Sequence, residues 1–235
     1  HIDLLHEEEL DEILGDAQGN VRAIRTKSGK EISCNLVGIT TGVKPKIDFL
    51  EKSGIATDKG ILVNRLLQTN QAHVYAIGDC AQQHEAIGLR KPVEAVWYTG
   101  RMMGETVAQT ICGTPFEYNP GNWFNSAKFF DIEYQTYGWV FSDKNKKPYE
   151  AHFHWKHPDN TKCITIAYHK ETRAFLGINT FGIRMRHDVL DHWLNTRKSV
   201  DEVVQNLAQA NFDPEFFKSY YSNINAAFSG ANSKA

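Results

Sequence analysis

No G-x-G-x-x-G turn occurs anywhere in the 235 residues. The chain therefore carries no glycine-rich loop of the kind that cradles a dinucleotide pyrophosphate at a strand–helix junction. Paired cysteines are missing too. Cys34, Cys80, Cys112 and Cys163 stand far apart, with neither zinc-knuckle nor C-x-x-C spacing, which excludes those metal and dithiol sites and suits a reducing compartment. No apolar run approaches the roughly 20 residues that span a bilayer, and no secretory signal opens the chain; a cytoplasmic location is expected. Charge of one sign is absent as well. Lysine and arginine number 26 against 28 acidic residues, a net charge of −2, so nothing favours a nucleic-acid partner.

What is present is a core-forming composition, 41% hydrophobic and 11% aromatic, enough for two compact units. The most telling stretch is Thr69-Asn-Gln-Ala-His-Val-Tyr-Ala-Ile-Gly-Asp79. It reads as a polar turn, a short buried strand over Val74 to Ile77, then a glycine and a carboxylate at the strand's end. Open α/β sheets present ligands at that position. Gly78 permits close approach to the backbone, and ionised Asp79 is acceptor-only, suited to a ligand hydroxyl. The alternative is an aspartate that merely caps the following helix.

The whole eleven-residue pattern resembles the second FAD-binding signature of the pyridine nucleotide-disulfide oxidoreductases, flavoproteins with two dinucleotide-binding domains. Val37-Gly-Ile-Thr-Thr-Gly-Val-Lys-Pro45 is similar to that family's apolar strand and Gly-x-x-Pro turn. Gly54-Ile55 followed by Lys59-Gly-Ile-Leu-Val63 is similar to the segment leading into the signature. The likeness runs over residues 20 to 112 and departs at Lys46, where the family commonly has asparagine. It implies that Asp79 holds the ribityl chain of FAD, with Gly78 beside it and Gly42 near the cofactor. The missing glycine turns, and an opening at His1 rather than methionine, then imply the C-terminal portion of a longer flavoprotein.

The chain divides into three stretches on this reading. Residues 1–42 read as a β-meander closing an NAD-binding domain, with strands over Leu4 to Leu14, Val21 to Thr26 and Glu31 to Ile39. For Glu7 to Glu12 a solvated helical turn is the alternative by propensity. Residues 43–113 read as the second segment of an FAD-binding domain: a short helix over 47 to 53 ending at Gly54, an apolar run from Leu62 to Leu67, the signature, and a helix from Pro92 to Gly113. The resemblance aims this helix's start at the pyrimidine edge of the flavin, where amide hydrogens and the positive dipole end favour negative charge. That role falls on the backbone around Glu94, Ala95 and Val96; Glu94 could otherwise be only a first-turn acid favoured by the dipole. Gly100 and Gly104 inside the helix suggest close packing against a neighbour or the cofactor.

A Pro/Gly/Asn-rich boundary over 113 to 127 precedes the third stretch, 114–235, which reads as an α+β interface domain. Strands are expected at Lys128 to Phe141, Tyr149 to Trp155, Lys162 to Tyr168 and Ala174 to Phe181. Helices follow at Val189 to Arg197, Val200 to Ala210 and Pro214 to Phe228, the last capped by Asp213, with a frayed tail from Ser229. Family relatives keep a catalytic His-Pro pair in such a domain, but His157-Pro158 is followed by Asp159 rather than the orienting glutamate and sits in a turn. His152 and His154 share a strand face without a third ligand. Both sets read as structural histidines, Cys80 as a packing residue, and the tryptophans as core or interface anchors.

The fold expected is thus α/β and α+β: a partial FAD/NAD-domain remnant (β-meander plus strand–helix) followed by an α+β interface domain. The function expected is the second half of an enzyme moving electrons from NAD(P)H through FAD to an unidentified acceptor, protein or small molecule, with homodimerisation through the last domain and no catalytic residue assigned. By itself the chain is expected to bind FAD weakly or not at all and to be inactive. The alternative is a dimerisation or partner-binding module with a vestigial flavin signature.

Overall fold

The computed structural model describes residues 2–212 and 218–232. The chain forms two compact units, His1–Lys46 and Ile47–Ala235.

The first unit is an antiparallel meander of β1 (Leu10–Gly15), β2 (Val21–Thr26) and β3 (Glu31–Ser33). Asp16 builds the first turn, its Oδ1 accepting from the Gln18 and Asn20 amides at 2.9 and 2.8 Å. This is the Asx chemistry that Asp-x-x-Gly-Asn encodes. The acidic run Glu7 to Glu12 divides: a turn occupies its start, and the strand begins at Leu10. Cross-strand pairing outweighs helix propensity there, because Arg25 lies between Glu12 (2.6 Å) and Glu31 (2.7 Å) on the sheet face. Beyond β3 the expected strand to Ile39 stops at Ser33, and Leu36, Ile39 and Val43 are exposed without regular structure. Among the described residues of its unit this apolar segment has no ladder partner.

The second unit has two cores. Around the first, β4 (Ile61–Val63) pairs in parallel with β5 (Ala81–Gln83), and α1 (Trp97–Ile111) packs alongside. Val63, Leu67 and Ala81 are fully buried with Met103, Val107 and Tyr118. Three expectations change here. The helix over 47 to 53 shrinks to a 3-10 turn, Asp48–Leu50, although Gly54 does reverse the chain with φ +75°. The buried strand over Val74 to Ile77 is replaced by a single bridge, Tyr75 to Gln68; Ala76 alone is buried, while Val74 and Ile77 are exposed. The strand paired with β4 lies beyond the Gly-Asp dipeptide, not before it. Finally, α1 begins at Trp97 rather than Pro92. Residues 90–96 are held out of the helix because the Gln83 amide donates to the Pro92 carbonyl and Arg90 ties down Glu94.

Around the second core, five antiparallel strands are ordered β6-β7-β10-β9-β8. They are β6 (Phe124–Phe129), β7 (Ile132–Gly138), β8 (Glu150–Lys156), β9 (Cys163–His169) and β10 (Phe175–Phe181). Their inward residues Tyr137, Phe153, Trp155, Ile164, Ile166 and Ile178 meet α2 (His187–Asn195), α3 (Val200–Gln205) and α4 (Tyr221–Asn232). A sheet covered by helices on one face is the α+β arrangement expected. The single strand foreseen over Lys128 to Phe141 is a hairpin instead. Its turn at Phe130, with φ +51°, lacks the Gly, Asn or Pro that announces a reversal. A reciprocal Ser199–Glu202 capping box starts α3, which ends at Gln205 and passes into a 3-10 turn, Leu207–Ala210. Asp213 and Pro214 lie outside the described residues; α4 starts at Tyr221 and includes Ser229, so the tail is helical to Asn232.

Candidate functional site

Gly78 opens a 3-10 turn, Gly78–Cys80, at the amino end of β5. Its φ is +76°, and no atom lies within 4 Å of where a Cβ would sit. Backbone conformation, not crowding, therefore requires the glycine. The turn lies against the first half of α1. The Gly78 amide donates to Met103 Sδ at 3.3 Å, and a Cβ on Gly100 would come within 3.5 Å of Gly78 Cα. Gly104 faces Ile77 Cδ1 at 3.9 Å from its own Cβ position. Both helix glycines thus pack on the signature, at ordinary contact distances.

Asp79 is exposed and, among the described residues, makes no hydrogen bond or ion pair. It caps nothing. A carboxylate held next to a left-handed glycine, with its acceptors uncommitted, is available to a ligand hydroxyl or amide.

The amino end of α1 is equally uncommitted. Val96 is the extended residue preceding it and offers no side-chain cap, so the amides of Trp97, Tyr98 and Thr99 have no acceptor one turn back. Their positive end is suited to negative charge. Of the backbone positions expected there, Ala95 is exposed, the Val96 amide donates to the Glu94 carbonyl at 3.0 Å, and Glu94 precedes the helix by three residues. The structure brings Gly78, Asp79 and the start of α1 into one region of the second unit. Gly42, with φ +91°, belongs to the first unit.

Glu94 is a buried structural anion rather than a first-turn acid. Arg90 Nη1 donates to its two oxygens at 3.1 and 2.9 Å. Arg90 Nη2 donates to the carbonyls of Pro120, Gly121 and Asn122, and its guanidinium lies 5.4 Å from the Trp123 ring centre. Burial raises the Glu94 carboxyl above its ordinary range, with Arg90 opposing; burial, reinforced by the Glu94 charge, pushes the Tyr118 phenol up to about 12. Arg90 was not legible as a site-shaping residue. Its i, i+4 spacing from Glu94 suggests a helix pair, and no helix forms there.

The histidines have local partners. His152 Nε2 meets buried Glu150 at 2.6 Å, His154 Nδ1 meets the Thr165 hydroxyl at 2.9 Å, and His157 sits beside Asp159 in its turn. Among the described residues no three His, Cys, Asp or Glu side chains are grouped to hold a metal. None of the described helices is long and apolar enough to cross a membrane.

A parallel strand pair with a Gly-Asp turn packed against the first half of a helix with an uncapped start is an arrangement suited to a nucleotide ligand. Comparison with known proteins narrows this. Residues 1–107 match the family model for pyridine nucleotide-disulphide oxidoreductases, and the chain resembles the C-terminal portion of an FAD-dependent member of that family. It is 32% identical over 123 residues to a ferredoxin–NAD(P)(+) reductase of a Sphingomonas species, covering 51% of this chain and 29% of the relative. It is 28% identical over 214 residues to the coenzyme A disulfide reductase of Staphylococcus aureus strain Mu3, covering 84% and 47%. An FAD-dependent pyridine nucleotide-disulphide oxidoreductase from Desulfovibrio vulgaris superposes with a TM-score of 0.67 at 16% identity, covering 96% of this chain and 55% of that one. The chain thus spans less than half the length of either curated relative.

Proposed function

We propose that this chain is the C-terminal part of an FAD-dependent oxidoreductase that takes electrons from NAD(P)H and delivers them to an acceptor. The observation that carries the reading is Asp79: an exposed carboxylate without a partner among the described residues, directly after a left-handed Gly78 that packs on the first half of α1. These residues fit a flavin. Asp79 would accept from ribityl hydroxyls, the open space at Gly78 admits close approach, and the first-turn amides of α1 favour negative charge at the flavin's pyrimidine edge. Bound there, flavin would supply hydride acceptance and onward electron transfer. The chain's own part is to bind, orient and stabilise charge. The amide positions move with the helix start, from Glu94, Ala95 and Val96 to Trp97, Tyr98 and Thr99.

The domain division 1–42, 43–113 and 114–235 is part of this proposal. The two separate cores of the second unit, one over residues 47–118 and one over 124–228, support its later boundary. Homodimerisation through the last domain is supported by exposed Phe129, Phe130 and Ile132 on the β6–β7 hairpin. Relatives named for ferredoxin and for a disulfide leave the acceptor open between a protein and a small molecule. The test is to purify the full-length product of the gene. It should be yellow and bleach on anaerobic addition of NADH or NADPH; a colourless, folded product would overturn the reading.

A further inference from the structure

The face of the β6–β10 sheet turned away from its helices carries a cleft of about 330 Å³. Its floor is set by strand alternation. Ile178 and Thr180 are fully buried on the helix side, Ile178 in the core and Thr180 with its hydroxyl on the Ile183 carbonyl. Asn179 between them therefore faces the other way, with Thr136 directly opposite on β7. Two positions along the strands, Tyr134 and Phe181 are paired, with rings 5.8 Å apart. Past Gly138, in the other direction, Trp139 stacks on Trp123 at 5.6 Å and on Phe141 at 5.8 Å. All these residues line the cleft. A contiguous aromatic patch left open to solvent marks a binding surface, and parallel rings suit a flat aromatic ligand.

The floor supplies a donor. Asn179 Oδ1 accepts from the Thr136 hydroxyl at 2.6 Å, while its Nδ2 has no partner among the described residues and is not sealed from solvent. A free amide hydrogen there selects a ligand with an acceptor oxygen. The charges favour an anion. None of the residues lining the cleft is charged, and the loop that follows Phe141, residues 142–148, carries Lys144, Lys146 and Lys147 against Asp143. Among the described residues these lysines have no ion pair, and Lys147 Nζ lies 5.1 Å from the Phe141 ring centre. Glu150, which accepts from the Phe141 and Lys147 amides at 3.3 Å, is 1% exposed and meets His152 at 2.6 Å.

The geometry points to a ligand site in this cleft for a small planar aromatic carboxylate, its ring between the two aromatic stacks and its oxygens toward Asn179 Nδ2. The site does not rest on the flavin reading. Tyr98, in the first turn of α1, meets Phe124 and the Ser126 hydroxyl, at 5.1 Å between rings and 3.4 Å. Phe124 packs on the helix-side core, whereas the intervening Asn125 donates to Tyr134 Oη on the cleft side. The start of α1 and the cleft thus meet opposite faces of the sheet.

The test is a calorimetric titration of the full-length gene product with cinnamate, using cyclohexanepropionate as the saturated analogue and cinnamamide as the neutral one. Cinnamate binds with a Kd of about 1 mM or tighter, unchanged whether flavin is bound or stripped; on a colourless product the titration decides by itself. The saturated analogue binds at least about tenfold more weakly and the amide severalfold more weakly. Asn179→Asp keeps an acceptor for Thr136, loses the donor and weakens cinnamate binding by about tenfold or more, as for a hydrogen bond to a charged group. Phe181→Ala, at an exposed strand end, also weakens it severalfold and decides the matter if Asn179→Asp fails to fold. Equal binding of either analogue, competition by flavin, or unchanged affinity in the variant that folds overturns the site. Failure to saturate also overturns it, and a smaller oligomer in Phe181→Ala would then assign the face to a second copy.

Discussion

Arg90 and Glu94 form a buried ion pair, with side chains 6% and 9% exposed, in the extended segment leading into α1. The same guanidinium donates to three successive carbonyls of residues 120–122. One side chain therefore positions the approach to the helix start and ties it to the segment entering the second core. Arg90→Ala leaves the Glu94 carboxylate buried and unpaired, and should destabilise by about 3–5 kcal/mol. Glu94→Gln keeps the shape and a hydrogen-bond acceptor and should cost less. Chemical denaturation of both variants checks the order; equal, small losses would show that the pair is unimportant.

Gly104 should be replaceable. A Cβ there meets only Ile77 Cδ1 at 3.9 Å, while glycine in a helix interior costs about 1 kcal/mol relative to alanine. Gly104→Ala should therefore stabilise by up to about 1 kcal/mol, read as a rise in denaturation midpoint. A fall would mean that the contact is tighter than it stands here.

Gly138 and Gly177 behave oppositely. A Cβ on Gly138 would fall 2.2 Å from the Leu176 carbonyl oxygen at φ +64°, and one on Gly177 would fall 2.6 Å from the Trp139 amide nitrogen. Backbone meets backbone at both, so neither clash relaxes by a side-chain rotation. Alanine at either position should cost about 3 kcal/mol or more and remove the cooperative unfolding of the β6–β10 sheet. Near-native stability of either variant would refute the close β7–β10 approach.

Two carboxyls give pH dependences of opposite sign. Arg173 hydrogen bonds, at 2.6 and 2.7 Å, hold Asp201 below its ordinary 3.8. Its stabilisation is present above 3.8 and is lost as pH falls through the lower folded value. Burial raises Glu94 above 4.5, so its contribution is present below 4.5 and is lost as pH rises through the folded value. Denaturation from about pH 3 to 7 should show Asp201→Asn converging on the parent protein at the acid end. Glu94→Gln should gain relative to the parent as pH rises. The same slope for both variants would contradict the assignment.

The sequence disclosed elements whose partners are close by. The meander followed from Asp16-x-x-Gly19 and the alternating Val21 to Thr26 segment, and three of the last five strands, β8, β9 and β10, fell within a residue or two of their expected bounds. The hairpin at Phe130 was hidden because a phenylalanine occupies the left-handed position. The start of α1 was hidden because Pro92 and Glu94 look like first-turn residues, and only tertiary bonds, from the Gln83 backbone amide to the Pro92 carbonyl and from Arg90 to Glu94, keep them out of the helix. Val37 to Ile39 and Val74 to Ile77 have the composition of strands, but strands need ladder partners, and within their units these segments find none or one bridge. Of the site, Gly78 and Asp79 were legible from the motif, whereas the Arg90–Glu94 anchor required the packing ahead of α1 to be seen.

The central claim is that Asp79 holds a flavin. Its most direct test is the flavin-to-polypeptide ratio of the full-length gene product, measured by absorbance after gel filtration, for the parent, Asp79→Asn and Asp79→Ala. Asp79 has no partner among the described residues, so both variants should keep the parent's thermal stability once stripped of cofactor. Flavin retention should fall several-fold in Asp79→Asn and further in Asp79→Ala. Retention equal to the parent's in Asp79→Ala would contradict the account.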